Sequence, residues 1–269
     1  MKKLLVAFLV LVMCSGAFAQ DASQSIILST TTSTQATGLL DTLLPAFTKA
    51  TGIAVKPIAV GTGKALEMAR HGDADVVMVH ARKLEDQFIA DGYGTHAFDL
   101  MYNDFVLLGP NEDPSKVKGS KTAIEAFQKI ASGSDKFISR GDKSGTHEKE
   151  LEIWESAKTK MTGPTYVECG QGMAEALKMA GEMNAYILCD RATWGFMKKK
   201  MTLAIVYENP EELKNPYGVI AVSKDKISQA KTDLAIKFID WVTSAEGQKI
   251  ISEFKIEGET LFHLSVGKR

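Results

Sequence analysis

Residues Ser29 to Thr34 place six hydroxyl side chains in a row, between the apolar run Ile26-Ile27-Leu28 and a helical pattern that begins near Thr37. A strand entering a helix through such a turn brings side-chain O–H groups and the unpaired N–H groups of the first helical turn to one point. Converging donors at the positive end of a helix dipole suit an anion. The same run also fits a heavily capped helix start with no ligand. A second run, Arg140-Gly141-Asp142-Lys143-Ser144-Gly145-Thr146-His147, adds a guanidinium fork, glycines and hydroxyls at another helix start. That set matches bidentate contact with a tetrahedral oxyanion. Asp142 would repel a dianion, so it reads as the group that orients Arg140.

Other motifs are weaker or point elsewhere. Gly61-Thr62-Gly63-Lys64 lacks the first glycine and the final hydroxyl of a nucleotide phosphate loop, because Ile58 and Ala65 stand there. Thr62 remains a candidate donor or a simple cap. The five histidines show no zinc-enzyme spacing, no G-x-S-x-G occurs, and Ser223 to Lys226 matches S-x-x-K without its companion motifs. The methionines at 173, 179 and 183 fall at helical spacing and read as core.

The elements that must position these groups alternate. Strands are expected at 26–29, 53–60, 75–79, 105–108, 137–139, 165–168, 185–188, 203–207 and 217–222. Helical periodicity follows Thr37, with Pro45 expected to kink it or start a second segment. Further helices are expected after Gly63, over 83–91 and 122–131, after Gly145, after Gly172, and as one long segment over 234–251 before a polar tail. The repeated strand-helix order predicts an α/β fold with a mainly parallel sheet. Gly-, Ser- and Thr-rich junctions recur at 29–38, 61–64, 140–146 and 170–173. In an open α/β sheet, ligands sit outside the carboxyl ends of the strands, where such junctions lie.

The first residues, Lys2-Lys3, an apolar run from Leu4 to Met13 and Ala17-Phe18-Ala19, form a secretory signal peptide over 1–19. The apolar run is too short for a membrane span. Cys14 raises a lipoprotein option, although Met13 is large for a lipobox. Cleavage removes Lys2 and Lys3 and no acid, taking Lys+Arg from 32 to 30 against 33 Asp+Glu, a net charge near −3. No global field then favours nucleic acid or an anionic membrane. Cys169 and Cys189 remain, after strands that could be neighbours, so a disulfide and two free thiols are both open.

Several of these segments together resemble the solute-binding proteins of bacterial ABC importers with the type II periplasmic fold, and within them the TupA-type tungstate-binding group. They are Leu28 to Thr34 with Gly38-Leu39-Leu40, Val60 to Ala65, Asp73 to Val76, Ser139 to His147, and Asp190-Arg191. The resemblance implies a two-lobe α/β fold, each lobe a mainly parallel sheet flanked by helices. Lobe 1 would comprise 20–105 and 217–269 and lobe 2 would comprise 106–216, with strand crossings near Phe105 and Tyr217. It implies a periplasmic monomer that closes over a small oxyanion and presents it to a transporter permease, with no enzymatic activity, resident cofactor or membrane insertion. The candidate ligand-binding residues are Thr31, Thr32, Ser33, Thr62, Arg140, Ser144, Gly145 and Gly172. Cys189 and Ala192 depart from the family pattern around Asp190-Arg191, which weighs against a ligand role there.

Tungstate and molybdate are fully deprotonated at neutral pH and call for donors only, whereas hydrogen phosphate also needs an acceptor. The hydroxyl turn has no accompanying carboxylate, which favours a metal oxyanion over phosphate and leaves tungstate, molybdate and sulfate open. A rival is an exported enzyme acting on a phosphorylated substrate. It requires a nucleophile beside a base, and Ser144 and His147 are the available pair. A receptor's ligand-sensing domain would share the fold.

Overall fold

The computed structural model describes residues 24–256 and 258–269. The signal-peptide segment 1–19 and Cys14 lie outside the described residues. One long strand organises the rest. β4 (Gly94–Pro110) runs through both halves of a sheet of order β2-β1-β3-β9-β4-β7-β5-β6, and β8 and β12 also pair with it.

In the first arm, β1 (Ser25–Thr31), β2 (Ala54–Val60) and β3 (Val76–Val79) are parallel. Between and after them come α1 (Thr32–Ala36), α2 (Leu39–Thr51), α3 (Thr62–His71) and α4 (Arg82–Ala90). The uninterrupted Val76-Val77-Met78-Val79 run is buried because helices cover both faces of the sheet. One apolar cluster around Phe47 and Phe238 and another around Phe88 and Ile220 sit on opposite faces.

The second arm holds α5 (Ala123–Ser132), β5 (Phe137–Ser139), α6 (Gly145–Ser156), β6 (Tyr166–Glu168), α7 (Met173–Glu182), β7 (Tyr186–Asp190), α8 (Arg191–Met197) and β8 (Leu203–Glu208). β5 is parallel to both β6 and β7. Within the large sheet, antiparallel pairing is confined to strands around β4 and β9 (Lys214–Val222). β9 follows β4 from Gly94 opposite Val222 to Asp104 opposite Lys214. One residue further the Phe105 N–H bonds the Leu213 carbonyl at 2.8 Å, and β4 then takes β7 and β8 as partners. The chain therefore crosses between arms at Asp104–Phe105 and again at Leu213–Lys214.

Several expectations are corrected. The long C-terminal helix is two, α9 (Thr232–Thr243) and α10 (Ala245–Glu253), because Ser244 takes an extended conformation and caps α10. Gln248 then bonds back to the Val242 carbonyl at 2.8 Å. The polar tail is ordered: β10 (Lys255–Ile256) and β11 (Glu259–Thr260) form a small hairpin, and β12 (His263–Lys268) pairs with β4. Helix α2 runs through Pro45 unbroken. The hydroxyl run is itself helical from Thr32, and left-handed Gly38 separates α1 from α2. Cys169 and Cys189 are free thiols, since β5 lies between the strands that carry them and puts them two strand spacings apart.

Candidate functional site

Every glycine- and hydroxyl-rich junction sits at the carboxyl end of a strand. β1 ends at Thr31, β2 leads through Gly61 into α3, β5 leads through Arg140 into α6, and β6 leads through Gly170 to Gly172 into α7. The arms bring these junctions together. A methyl on Gly61 would lie 3.9 Å from the Asp142 carbonyl, and one on Gly63 would lie 4.0 Å from Lys143. One on Gly172 would lie 4.0 Å from Thr32 Oγ1. Thr32 and Ser33 share a cleft of about 350 Å³ with Gly172, Met173 and Thr193.

Within the first arm, Thr31 caps α1, its Oγ1 accepting the Thr34 N–H at 3.2 Å. Ser33 is buried, whereas Thr32 is exposed into the cleft. The Thr31 and Ser33 hydroxyls both lie against His80 Nε2, at 3.1 and 3.0 Å. Thr62, the first residue of α3, is fully buried and its hydroxyl has no partner among the described residues.

In the second arm the Arg140 guanidinium is nearly buried and held on two sides. Its Nε donates to the Gln171 carbonyl at 2.7 Å and its Nη2 donates to Asp142. Asp142 accepts the Ser144 N–H on its other oxygen at 3.1 Å. Asp142 thus orients the fork, as its position in the motif suggests, and Nη1 is left without a protein partner among the described residues. Gly141 sits at φ +61°, and a methyl there would meet Glu168 Cβ at 2.8 Å, so only glycine allows this tight turn. Ser144 caps α6, accepting the His147 N–H at 3.3 Å. Gly145 and Thr146 follow as the first residues of that helix, and the buried Thr146 hydroxyl has no partner among the described residues.

Buried, unpartnered hydroxyls at two helix starts, beside a guanidinium with free N–H groups, form a set of donors awaiting an acceptor. The structure therefore sets Thr31, Thr32, Ser33 and Thr62, at strand ends of the first arm, against the second-arm junctions that carry Arg140, Ser144, Gly145 and Gly172. Thr146 and His80 join them, and neither was among the candidates. Thr146 was legible as a hydroxyl inside the Arg140 motif. His80 was not, because its partners stand 47, 49 and 135 residues away in the chain.

Arg191 serves elsewhere. It grips Asp104 with two contacts of 2.7 Å and Glu208 with a third, tying α8 to the crossing strand. Asp190 is a helix cap whose Oδ1 accepts the Thr193 N–H at 2.8 Å, and burial raises its pKa. The Ser144-His147 pair does not form a nucleophile and base. Ser144 Oγ is engaged as the cap, and the His147 ring accepts the Lys143 N–H at 3.1 Å through Nδ1.

The PBP superfamily domain matches residues 16–246. The tungstate-binding protein TupA of Peptoclostridium acidaminophilum is 47% identical over 251 residues, 92% of this chain and 88% of that protein. The tungstate-binding protein TupA of Campylobacter jejuni is 39% identical, over 88% of this chain and 90% of that one. Among solved structures, the tungstate ABC transporter from Geobacter sulfurreducens is 51% identical with a TM-score of 0.80, covering 87% of this chain and all of its own. The tungstate-binding protein TupA from Desulfovibrio alaskensis G20 is 42% identical with a TM-score of 0.75, covering 90% and 99%. On this identity over nearly its whole length and on its shared two-arm sheet, the chain belongs to the PBP superfamily and to the family of the TupA tungstate-binding proteins.

Proposed function

We propose that this protein is the solute-binding component of an ABC importer, capturing tungstate and delivering it to the transporter permease. The observation that carries the reading is the pair of buried, unpartnered hydroxyls, Thr62 and Thr146, at two helix starts flanking the Arg140 turn. Asp142 is held on both oxygens, by Arg140 and by the Ser144 N–H, so its charge is turned to protein donors while the turn presents N–H and O–H groups to an incoming anion. A site of that polarity favours a dianion over hydrogen phosphate, which must donate its own proton. Molybdate has the same charge and shape and is the nearest alternative ligand.

Thr31, Thr32, Ser33, Thr62, Arg140, Ser144, Gly145 and Gly172 are the proposed contacts, with Thr146 added to them. The protein would work as a periplasmic monomer after loss of residues 1–19, needing no cofactor. No helix among the described residues is long and apolar enough to cross a membrane. Lobe 1 would be 20–104 with 214–269 and lobe 2 would be 105–213, hinged at the crossings of β4 and β9 rather than at Tyr217 and closing over the anion.

Thermal unfolding with a panel of anions tests the assignment, because a ligand that binds only the folded state raises the melting temperature with its concentration. Tungstate, and then molybdate, should stabilise more than sulfate or phosphate at equal concentration. Stabilisation by phosphate with none by tungstate would overturn it.

A further inference from the structure

His80 stands where β3 ends, buried at the junction of both arms and the crossing strands. Its Nδ1 lies 3.1 Å from Asn215 Oδ1 on β9, and Asn215 Nδ2 donates at 2.7 Å to Asn103 Oδ1 on β4. Since Asn215 gives its N–H to Asn103 and turns its oxygen to the ring, Nδ1 carries the imidazole proton. In the neutral ring Nε2 is then an acceptor, and the Thr31 and Ser33 hydroxyls both lie within reach of it. A hydroxyl has one proton. Any proton given to Nε2 is withheld from an anion in the cleft. A protonated ring reverses this: Nε2–H donates to the hydroxyl oxygens and releases their protons to point elsewhere.

We propose that His80 is a positioning residue that takes up one proton as the oxyanion enters, so that whichever hydroxyl of the Thr31–Ser33 pair donates to the imidazole is freed to donate to the anion. The inference rests on the oxyanion-binding function above. In the free protein the ring is neutral, because burial first and the Arg140 charge second hold its pKa down to about 4. A dianion offsets Arg140 and adds an attraction for the charged ring.

Most of the other charges around the ring are already engaged. Asp142, which favours the charged ring, is bound to Arg140. The Tyr217 ring packs against His80 at 4.7 Å. A cavity of about 270 Å³ beside the ring is lined by Arg82, Lys83, Lys214 and, on α6, Glu148, Lys149 and Glu152. Of these, Arg82 pairs with Asp99, Lys149 with Glu152, and Lys214 lies over the Tyr102 ring. Lys83 and Glu148 belong to the protein whether or not the cleft is filled, so the arriving anion is the change that His80 senses.

Calorimetric titration of the processed chain with low-micromolar sodium tungstate tests this, from pH 6 to 8 in two non-phosphate buffers of different ionisation enthalpy. The difference in heat between buffers reads the protons taken up. Uptake should approach one proton toward pH 6, and affinity should rise about tenfold per unit fall in pH wherever uptake is complete. His80→Gln, which donates without titrating, should bind with no uptake and a flat pH profile. A purely packing role would lower its affinity and leave the slope unchanged. Asn215→Asp, which puts a carboxylate on Nδ1, should move the uptake window to higher pH. Tungstate binding with no proton uptake in the wild type, or uptake that survives His80→Gln, overturns the role of His80. No tungstate binding at any pH overturns the function on which it rests.

Discussion

Gly145 meets His80 so closely that a methyl on the glycine would fall 2.2 Å from the His80 carbonyl oxygen and 2.5 Å from its Nδ1. The glycine opens α6 in the second arm, and the histidine closes β3 in the first. Backbone blocks that approach, so no side chain can swing aside to admit the methyl. Gly145→Ala should therefore leave each arm folded and hold them apart. Tungstate affinity should fall at least tenfold, with a larger radius of gyration by X-ray scattering in saturating tungstate than the wild type shows. A variant that binds and compacts normally would show that this contact does not govern closure.

Arg140 supplies the guanidinium of the cleft, and Asp142 fixes its plane. Arg140→Ala should cost more than ~1.5 kcal/mol of oxyanion binding, the lower range for a charge-assisted hydrogen bond. Arg140→Lys keeps the charge but loses the fork, and should recover only part of that. Calorimetry on both variants checks the prediction, and unchanged affinity in Arg140→Ala would remove Arg140 from the site.

Thr62 and Thr146 separate stability from binding. Each buried hydroxyl lacks a partner among the described residues, so the fold already bears the cost of burying it. Thr62→Val and Thr146→Val should leave the free protein as stable or raise it by up to about 1 kcal/mol, while weakening tungstate binding by roughly the same amount. Denaturant unfolding without ligand and titration with it read the opposite signs. A loss of stability without ligand would mean that these hydroxyls are structural.

How much of this was readable in the chain depends on how local each signal was. Val76 to Val79 announces a covered parallel strand without any context. The four strand-end junctions are likewise short runs of Gly, Ser and Thr, each legible alone. β4 was visible only from Phe105 onward, because register shifts between Thr95 and Phe98 and between Asp99 and Met101 break the two-residue alternation of its first half. β12 is largely exposed, so little apolar alternation marks it. The break at Ser244 lies inside an unbroken helical period and depends on one cap. His80 is the clearest limit, since its role exists only once Thr31, Ser33 and Asn215 have been folded around it.

Glu150 offers a test of pH dependence away from the anion. It accepts from Trp154 Nε1 at 3.0 Å and from the Tyr166 hydroxyl at 2.7 Å, and burial raises its pKa to about 7. The folded state then holds its proton more tightly than the unfolded chain. The stability it contributes is complete at low pH and is lost as pH rises from the ordinary carboxylate range to about 7. Glu150→Gln keeps an acceptor for both donors and removes the titration. Above pH 7 it should be more stable than wild type, by up to about 3 kcal/mol. The difference should shrink as pH falls toward 4.5. Chemical denaturation of both proteins between pH 4.5 and 8 measures it, and a pH-independent difference would contradict the assignment.

The unpartnered Thr62 and Thr146 hydroxyls beside Arg140 should make the interarm cleft select a deprotonated metal oxyanion. Titration calorimetry of the processed protein at neutral pH with tungstate, molybdate, sulfate and phosphate measures that most directly. Tungstate should bind tightly at one site per chain, with phosphate weakest of the four. Tight phosphate binding beside micromolar-or-weaker tungstate binding would contradict it.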